Sequence, residues 1–416
     1  MSIAVSGGLS SVYSPQQLLT RALNGSPLTR DEALFLYISA DVELEHLAEA
    51  GRQLRYQGKG ETITFSPKVF LPLTNLCRDR CRYCTFRRDP GDQGAHWMEP
   101  EEVLAIAHAG ESLGCKEALL SLGDRPEAAF TEAGAWLRAR GFQRTLDYVA
   151  AIGELLLRET TLFPHSNPGL MARADLARLK QSNVSLGLML ENTSPRLFAP
   201  GGAHEDAVDK FPHRRLRTIR EAGELKIPFT TGILVGIGET REDIIDSLCA
   251  IRALHLRYGH IQEVIVQNFV PKPEIPMHDW PAPPARFFAR TVAIARLLLG
   301  RDMNIQAPPN LSPHDLELLL DCGLNDWGGI SPLTLDFINP ESPWPQVEKL
   351  SALCAGKGLR LRQRMAVYPE YAVQPEFFSP SVWRALRDRT GTDGYPLQTK
   401  LVRQRGDESL KIKHGV

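Results

Sequence analysis

The 416-residue chain has almost no net charge: 48 basic side chains face 49 acidic ones, a formal charge of −1. That balance gives no electrostatic basis for a nucleic-acid partner, and none is expected. No apolar run is long enough to span a bilayer, so no membrane partner is expected either. The opening residues, MSIAVSGGLSSVYS, lack a basic start followed by an apolar stretch and do not read as a secretory signal. A disulfide framework is missing as well. The seven cysteines are odd in number, and Cys115, Cys249, Cys322 and Cys354 are scattered through apolar helical patterns, where free cysteine behaves as a small hydrophobe. Free thiols imply a reducing compartment, and a cytoplasmic location is expected. There is no internal repeat beyond a β–α alternation and no low-complexity segment. What the chain does have is 43% hydrophobic residues, enough for a large core and too many for disorder.

Length alone suggests two or three domains, but α/β barrels run past 250 residues as one unit. Residues 1–64 read as an N-terminal helical cap. SPQQLLTRAL, TRDEALFLYIS and ELEHLAEAGRQLRYQG each place apolar residues at helical spacing behind a Ser or Thr cap or an acidic start. Residues 65–364 change rhythm. Strands are expected in KVFLPLTN (68–75), EALLSLGD (117–124), TLFPHSNPG (161–169), NVSLGLMLE (183–191), IPFTTGILVGIG (227–238), IQEVIVQNFVP (261–271), MNIQAPPNL (303–311) and NDWGGISP (325–332). Amphipathic stretches such as PEEVLAIAHAGESLG, HRRLRTIREAGEL and REDIIDSLCAIRALHLRYG separate them. Eight β-then-α units make an α/β chain with a (β/α)8, TIM-barrel-like fold. A doubly wound sheet and a six-unit open barrel are the competing architectures. Residues 365–416 lose the rhythm and read as a C-terminal extension, its charged tail QTKLVRQRGDESLKIKHGV expected to be mobile.

The densest chemistry lies in NLCRDRCRYCTFRRD (75–89). Cys77, Cys81 and Cys84 have the spacing C-x3-C-x2-C, on the loop after the first strand, at the barrel face that carries chemistry. Three readings compete. A structural zinc ion needs a fourth ligand, and His96 is the nearest histidine after the motif. A disulfide conflicts with the odd count and the reducing setting. An iron–sulfur cubane on three cysteines leaves one iron open to a ligand, which a four-cysteine electron carrier does not.

C-x3-C-x2-C with an aromatic, Tyr83, before the last cysteine resembles the signature of the radical S-adenosylmethionine (SAM) superfamily. LTNLCRDRCRYCTFRRDP, LGDRPE, FPHSNPG, LGLMLENTSPRL, IPFTTGILVGIGETRED and QNFVPKP closely resemble the CofG-type cyclase subunit of FO synthase, over about residues 66–345. The resemblance implies one 4Fe–4S cluster on Cys77, Cys81 and Cys84, with SAM chelated at the open iron. It implies that a 5′-deoxyadenosyl radical abstracts hydrogen from the hydroxybenzyl part of a 5-amino-5-(4-hydroxybenzyl)-6-(D-ribitylimino)-5,6-dihydrouracil adduct. Ring closure, oxidation and loss of ammonia then give 7,8-didemethyl-8-hydroxy-5-deazariboflavin (FO). The adduct comes from a sister radical SAM subunit, whose transient docking is a further expectation, and an electron donor is required. The sister subunit itself and a menaquinone-pathway enzyme are the alternatives; the RDRCRYCTF letters and the lack of a second C-x3-C-x2-C argue against both. A non-catalytic iron–sulfur carrier is the alternative from another class.

The same resemblance marks SAM contacts. Gly123 and Asp124 end strand two, where Leu-Gly-Asp departs from the family's Gly-Gly-Glu-like turn, so contact through the backbone is the safer expectation; a capped βα turn is the other. Glu191 ends strand four, as a SAM-binding glutamate or a capping carboxylate. Arg215 stands where relatives hold the methionine carboxylate, or lies with Arg214 on a solvated helix face. Gly236, in a Gly-rich stretch that matches no phosphate-loop pattern, is expected beside the adenine. His165, Ser166, Asn167, Gln267, Asn268 and 327–331 (WGGIS) are expected to ring the barrel mouth with polar groups, Ser166 among the cofactor contacts. No residue is legible as the proton acceptor.

Overall fold

A computed structural model describes residues 14–397, so the sequences expected to form the mobile tail (398–416) and the first 13 residues lie outside it. Eight parallel strands close into a barrel: β1 Thr62–Phe70, β2 Glu117–Ser121, β3 Phe163–Asn167, β4 Ser185–Gly187, β5 Phe229–Val235, β6 Ile261–Asn268, β7 Ile305–Gln306 and β8 Asp326–Ile330. Neighbours follow chain order from β2 to β8, then β1, and β1 pairs β2 to complete the ring. Closure excludes the doubly wound and open-barrel alternatives. Each expected strand stretch supplies one strand, but β1 begins at Thr62 rather than Lys68 and ends at Phe70. TITF is β-branched and aromatic, and its backbone pairs on both sides, so ladder hydrogen bonds carry the strand back to Thr62.

A ninth strand, β9 Arg360–Gln363, adds outside the ring along Thr62–Phe65. Its sequence, RLRQ, has one apolar residue and mostly exposed side chains, so no period-two pattern announces it. The chain then turns under the barrel. Arg364 forks onto Asp326 (Nε–Oδ2 2.7 Å, Nη2–Oδ1 3.0 Å), and the Tyr368 hydroxyl donates to Glu263 Oε1 at 2.9 Å. Ser185 Oγ donates to the Ala366 carbonyl at 3.0 Å. These partners stand at the starts of β4, β6 and β8, so 364–368 forms the floor. Met365, Val367 and Tyr368 pack there with Phe163, Val184 and, from helix Pro380–Arg387, Val382 and Leu386.

The N-terminal helices Pro15–Leu23, Arg30–Ile38 and Leu44–Lys59 form where expected. Thr29 and Glu32 make a reciprocal capping box (2.8 and 3.3 Å) that fixes the start of the second. They lie on the barrel's flank. Arg290, on helix Ala285–Leu299, donates to the carbonyls of Leu36, Tyr37 and Val42 at 2.7 to 2.9 Å. Helix Leu44–Lys59 packs close enough that a Cβ on Gly58 would meet the Arg301 carbonyl oxygen at 2.0 Å.

His165 and His260 are among the histidines this architecture buries in neutral form. Burial pushes His165 and His260 down to about 4. In the unfolded chain both take a proton near the ordinary histidine value of about 6.5. Their folded pKa is depressed, so the stability they represent is intact above that value and is lost as pH falls toward 4. The slope is about 1.4 kcal/mol per pH unit for each. Burial raises Asp124 to about 6 and Glu263 to about 7, which works in the opposite sense. The histidine contribution is therefore read by difference: a His260→Gln variant should lose less stability than the wild type between about pH 6.5 and 4. Parallel melting curves for the two proteins over that range would refute it.

Candidate active site

The loop 71–99 leaves β1 at the C-terminal end of the barrel. Isolated β-bridges join Thr74 to Trp97 and Leu76 to Arg88, and the Arg80 and Arg82 N–H groups donate to the Asp206 and Ala203 carbonyls, both at 3.0 Å. The turn after β2 is pressed against this loop. The Gly123 N–H donates to the Thr74 carbonyl at 2.9 Å, and the Asp124 N–H donates to Cys77 Sγ at 3.2 Å. A Cβ at 123 would lie 1.9 Å from the Leu76 carbonyl oxygen and 2.8 Å from Cys77 Cβ, so only glycine fits. The Asp124 carboxylate is committed elsewhere, to the Leu170 N–H and Arg125 Nε, each at 3.0 Å. What this turn offers the cysteines is therefore backbone.

A cavity opens here. Cys77, Cys81, Cys84, Tyr83, Gly123, Asp124, Glu191 and Arg215 all line it, eight of the ten residues expected to hold the cluster or SAM, together with Asn167, Gln267 and Asn268 of the expected polar ring. Ser166 and Gly236 do not. Side chains alternate along a strand: His165 and Asn167 face the barrel interior, so Ser166 points outward and donates to Asn183 Oδ1 at 2.6 Å. Gly236 sits in the turn after β5 with φ +98°, its N–H donating to Glu239 Oε1 at 2.7 Å. A Cβ there would meet Pro283 Cδ at 2.8 Å, so the turn itself demands the glycine.

All seven cysteines are free thiols. The three in the motif do not bring their sulphurs within 4.8 Å of one another as a set, whereas Asp79, Asp124 and Asp209 do cluster that closely. A single tetrahedral ion would draw three thiolates tighter than this, and His96 is bonded to Glu102 (3.1 Å) instead of standing by as a fourth ligand. The donor set fits a multi-iron cluster better than zinc. Burial pushes the Cys81 thiol up to about 12 and Cys77 further. Metal loading at this site therefore has to release protons. The motif's arginines stitch the loop rather than surround the sulphurs. Arg80 pairs with Asp89 (3.0 Å), Arg78 with Asp209 (3.4 Å), Arg82 with Glu205 (3.5 Å), and Arg88 Nη1 donates to the Thr85 carbonyl at 2.6 Å.

Opposite the cysteines stands Glu191, buried, with a left-handed backbone (φ +64°) that a non-glycine residue rarely adopts. Lys210 Nζ bonds its Oε1 at 2.5 Å. Burial alone would raise this carboxyl, but Lys210 and Arg215 together hold it below the ordinary range. Arg215 is buried and tied by Nε to the Asp209 carbonyl at 3.1 Å; it is not on a solvated face. Tyr83 bonds His204 Nε2 at 3.1 Å, and burial pushes that imidazole down to about 3, so it is neutral. Lys210, His204, Asp79 and Asp209 were not foreseen. Lys210 and His204 sit in a loop that reads as solvated, and the one available signal, Asp79 inside C-x3-C, does not reveal burial.

Beneath the cavity a second chamber occupies the barrel interior. Ser121, Asn167, Gln267, Ile338 and Asn339 line both, so the two communicate. Lys272, from the loop after β6, clasps the loop after β8 over the mouth through the Ile338 carbonyl (2.8 Å) and Asn339 Oδ1 (2.7 Å).

Residues 71–248 match the Radical SAM superfamily. An FO synthase of Nocardia farcinica is 48% identical over 369 residues, 86% of this chain. The chain spans only 42% of that protein's length. The 7,8-didemethyl-8-hydroxy-5-deazariboflavin synthase of Methanopyrus kandleri is 48% identical over 309 residues, 74% of this chain and 92% of that one. In fold, the FeFe-hydrogenase maturase HydG of Carboxydothermus hydrogenoformans superposes with a TM-score of 0.69 at 19% identity, covering 90% of this chain and 88% of that one.

Proposed function

The chain belongs to the 7,8-didemethyl-8-hydroxy-5-deazariboflavin synthase family of radical SAM proteins, and from that premise we propose that it is the cyclase that closes the deazaflavin ring. The family implies a 4Fe–4S cluster and SAM. The observation that carries the reading is three thiols without a fourth, facing a cavity that opens into a chamber in the barrel interior. Cys77, Cys81 and Cys84 would hold the cluster, which when bound supplies the electron that cleaves SAM to methionine and a 5′-deoxyadenosyl radical.

The rest falls to the chain's own side chains. Arg215, a buried guanidinium, suits the methionine carboxylate. Glu191, kept ionised by Lys210 and Arg215, suits the SAM ammonium or ribose hydroxyls. The backbone of Gly123 and Asp124 fixes Cys77 and the SAM end nearest to it. Tyr83, packed edge-on against His204 with ring centroids 5.6 Å apart, forms a rigid wall behind the cysteines. The barrel excludes water from the radical, and its interior orients the adduct so that hydrogen leaves the hydroxybenzyl part before ring closure and loss of ammonia. A sister radical SAM unit supplies that adduct and an electron donor supplies the reducing equivalent. A cytoplasmic setting suits seven free thiols; no described helix is long and apolar enough to cross a membrane.

The test is anaerobic reconstitution with iron, sulphide, SAM and dithionite, followed by addition of the adduct. The expected result is 5′-deoxyadenosine together with a fluorescent deazaflavin. SAM turnover with adduct present and no fluorescent product would sink the cyclase reading.

A further inference from the structure

Lys68 and Glu117 lie side by side as register partners on β1 and β2, both pointing into the inner chamber and both 7% exposed. They sit within the barrel and line the lower chamber only, away from the cysteines. Neither makes a side-chain hydrogen bond or ion pair with any described residue, including the other. The contrast with Arg364 in the same chamber is sharp: its fork is filled by Asp326 and its neighbours. An ammonium and a carboxylate that face a chamber side by side, with no hydrogen-bond partner from the protein, are left open to a ligand. Burial already pushes the Lys68 amine down. The barrel also makes room for it: a Cβ on Gly329 would lie 2.3 Å from Lys68 Cδ. Two aromatic faces flank the ammonium, Trp344 at 4.8 Å and Phe70 at 5.7 Å from their centroids.

A ligand meeting this pair must accept from Lys68 and donate to Glu117 through neighbouring atoms. An anionic group would face Glu117 and a cationic group Lys68, so the edge is neutral, and the aromatic walls favour a planar ring. We propose that Lys68 and Glu117 grip the imide edge of a pyrimidinedione, Lys68 donating to a ring carbonyl and Glu117 accepting from the adjacent ring N–H. This deepens the cyclase reading and rests on it. It sets the substrate head-down, with the uracil-type ring at the charged wall. The hydroxybenzyl part then lies at the belt of Ser121, Asn167 and Gln267 that borders the cysteine cavity.

The probe is FO, whose fluorescence reports binding, with an FO derivative methylated on the imide nitrogen as control, both titrated into the cluster-loaded enzyme. Wild type should bind FO and lose about tenfold to a hundredfold in affinity for the methylated derivative. Lys68→Met and Glu117→Leu should each weaken FO by about the same factor, and Glu117→Leu, which has no acceptor, should no longer distinguish FO from its derivative. Both variants should still load iron and melt as folded proteins, so that weakened FO binding is not loss of the fold. Equal affinity of the wild type for the two ligands, wild-type affinity in both variants, or no FO binding at all would each overturn the pair. The comparison on wild type needs no variant to fold. Discrimination between the two ligands without product formation from the adduct would instead sink the cyclase reading and leave the imide site standing.

Discussion

Cys81→Ala is expected to lose its iron and to cut SAM cleavage by more than about 100-fold, the upper end of what even a supporting partner of a metal ligand is worth. The barrel should stay folded. The loop that carries Cys81 is held by backbone bonds that do not involve its sulphur: the bridges Thr74–Trp97 and Leu76–Arg88 and the Arg80 and Arg82 N–H groups on Asp206 and Ala203. Deleting one sulphur from such a loop costs about 1 kcal/mol, the scale of a small truncation. The free thiol is also held protonated by burial, pushed up to about 12, so it adds no ion pair whose loss would unsettle the apo-protein. Iron content per chain, SAM cleavage under dithionite and a thermal melt together decide it. Full iron in this variant would refute Cys81 as a ligand. Loss of iron together with loss of the fold would mean that the motif is structural.

The barrel was legible because its strands carry the apolar, β-branched runs of a buried parallel sheet, separated by amphipathic helices long enough to cross over. β9 was not, because RLRQ owes its place to the unpaired side of β1 and not to its own side chains. The site divides in the same way. The cysteines announce themselves by spacing, Gly123 and Glu191 by their place after a strand, and Arg215 only through the family resemblance. Three consecutive residues at the end of β3 could not all face inward, and the alternation that turns His165 and Asn167 in turns Ser166 out. Lys210 and His204 escape notice because their loop is polar in sequence and is buried only by folding back over the cysteines. Lys68 and Glu117 were readable as strand residues, yet their lack of partners is a fact of three dimensions. Charge in a strand carries no label saying whether it will be paired.

Glu191→Gln is expected to lower SAM affinity by about tenfold to a hundredfold, the worth of a hydrogen bond to a charged group, while iron stays bound. The same change strands Lys210, whose Nζ bonds Glu191 at 2.5 Å inside the protein. Breaking a buried pair from one side costs about 3–5 kcal/mol, so the variant should also melt lower. Stability and binding thus fall together in the single variant and cannot by themselves say which role Glu191 has. Pairing it with Lys210→Met separates them. Once the ammonium is gone the neutral glutamine no longer leaves a charge uncompensated, and much of the lost stability should return. SAM affinity should not return, because the carboxylate that Lys210 and Arg215 hold ionised is still missing. If the double variant regained SAM binding along with its melting temperature, Glu191 would be a counter-ion for Lys210 and nothing more. If affinity stayed low at restored stability, the left-handed backbone at residue 191 would have a functional reason: it aims a carboxylate across the cavity at the cofactor.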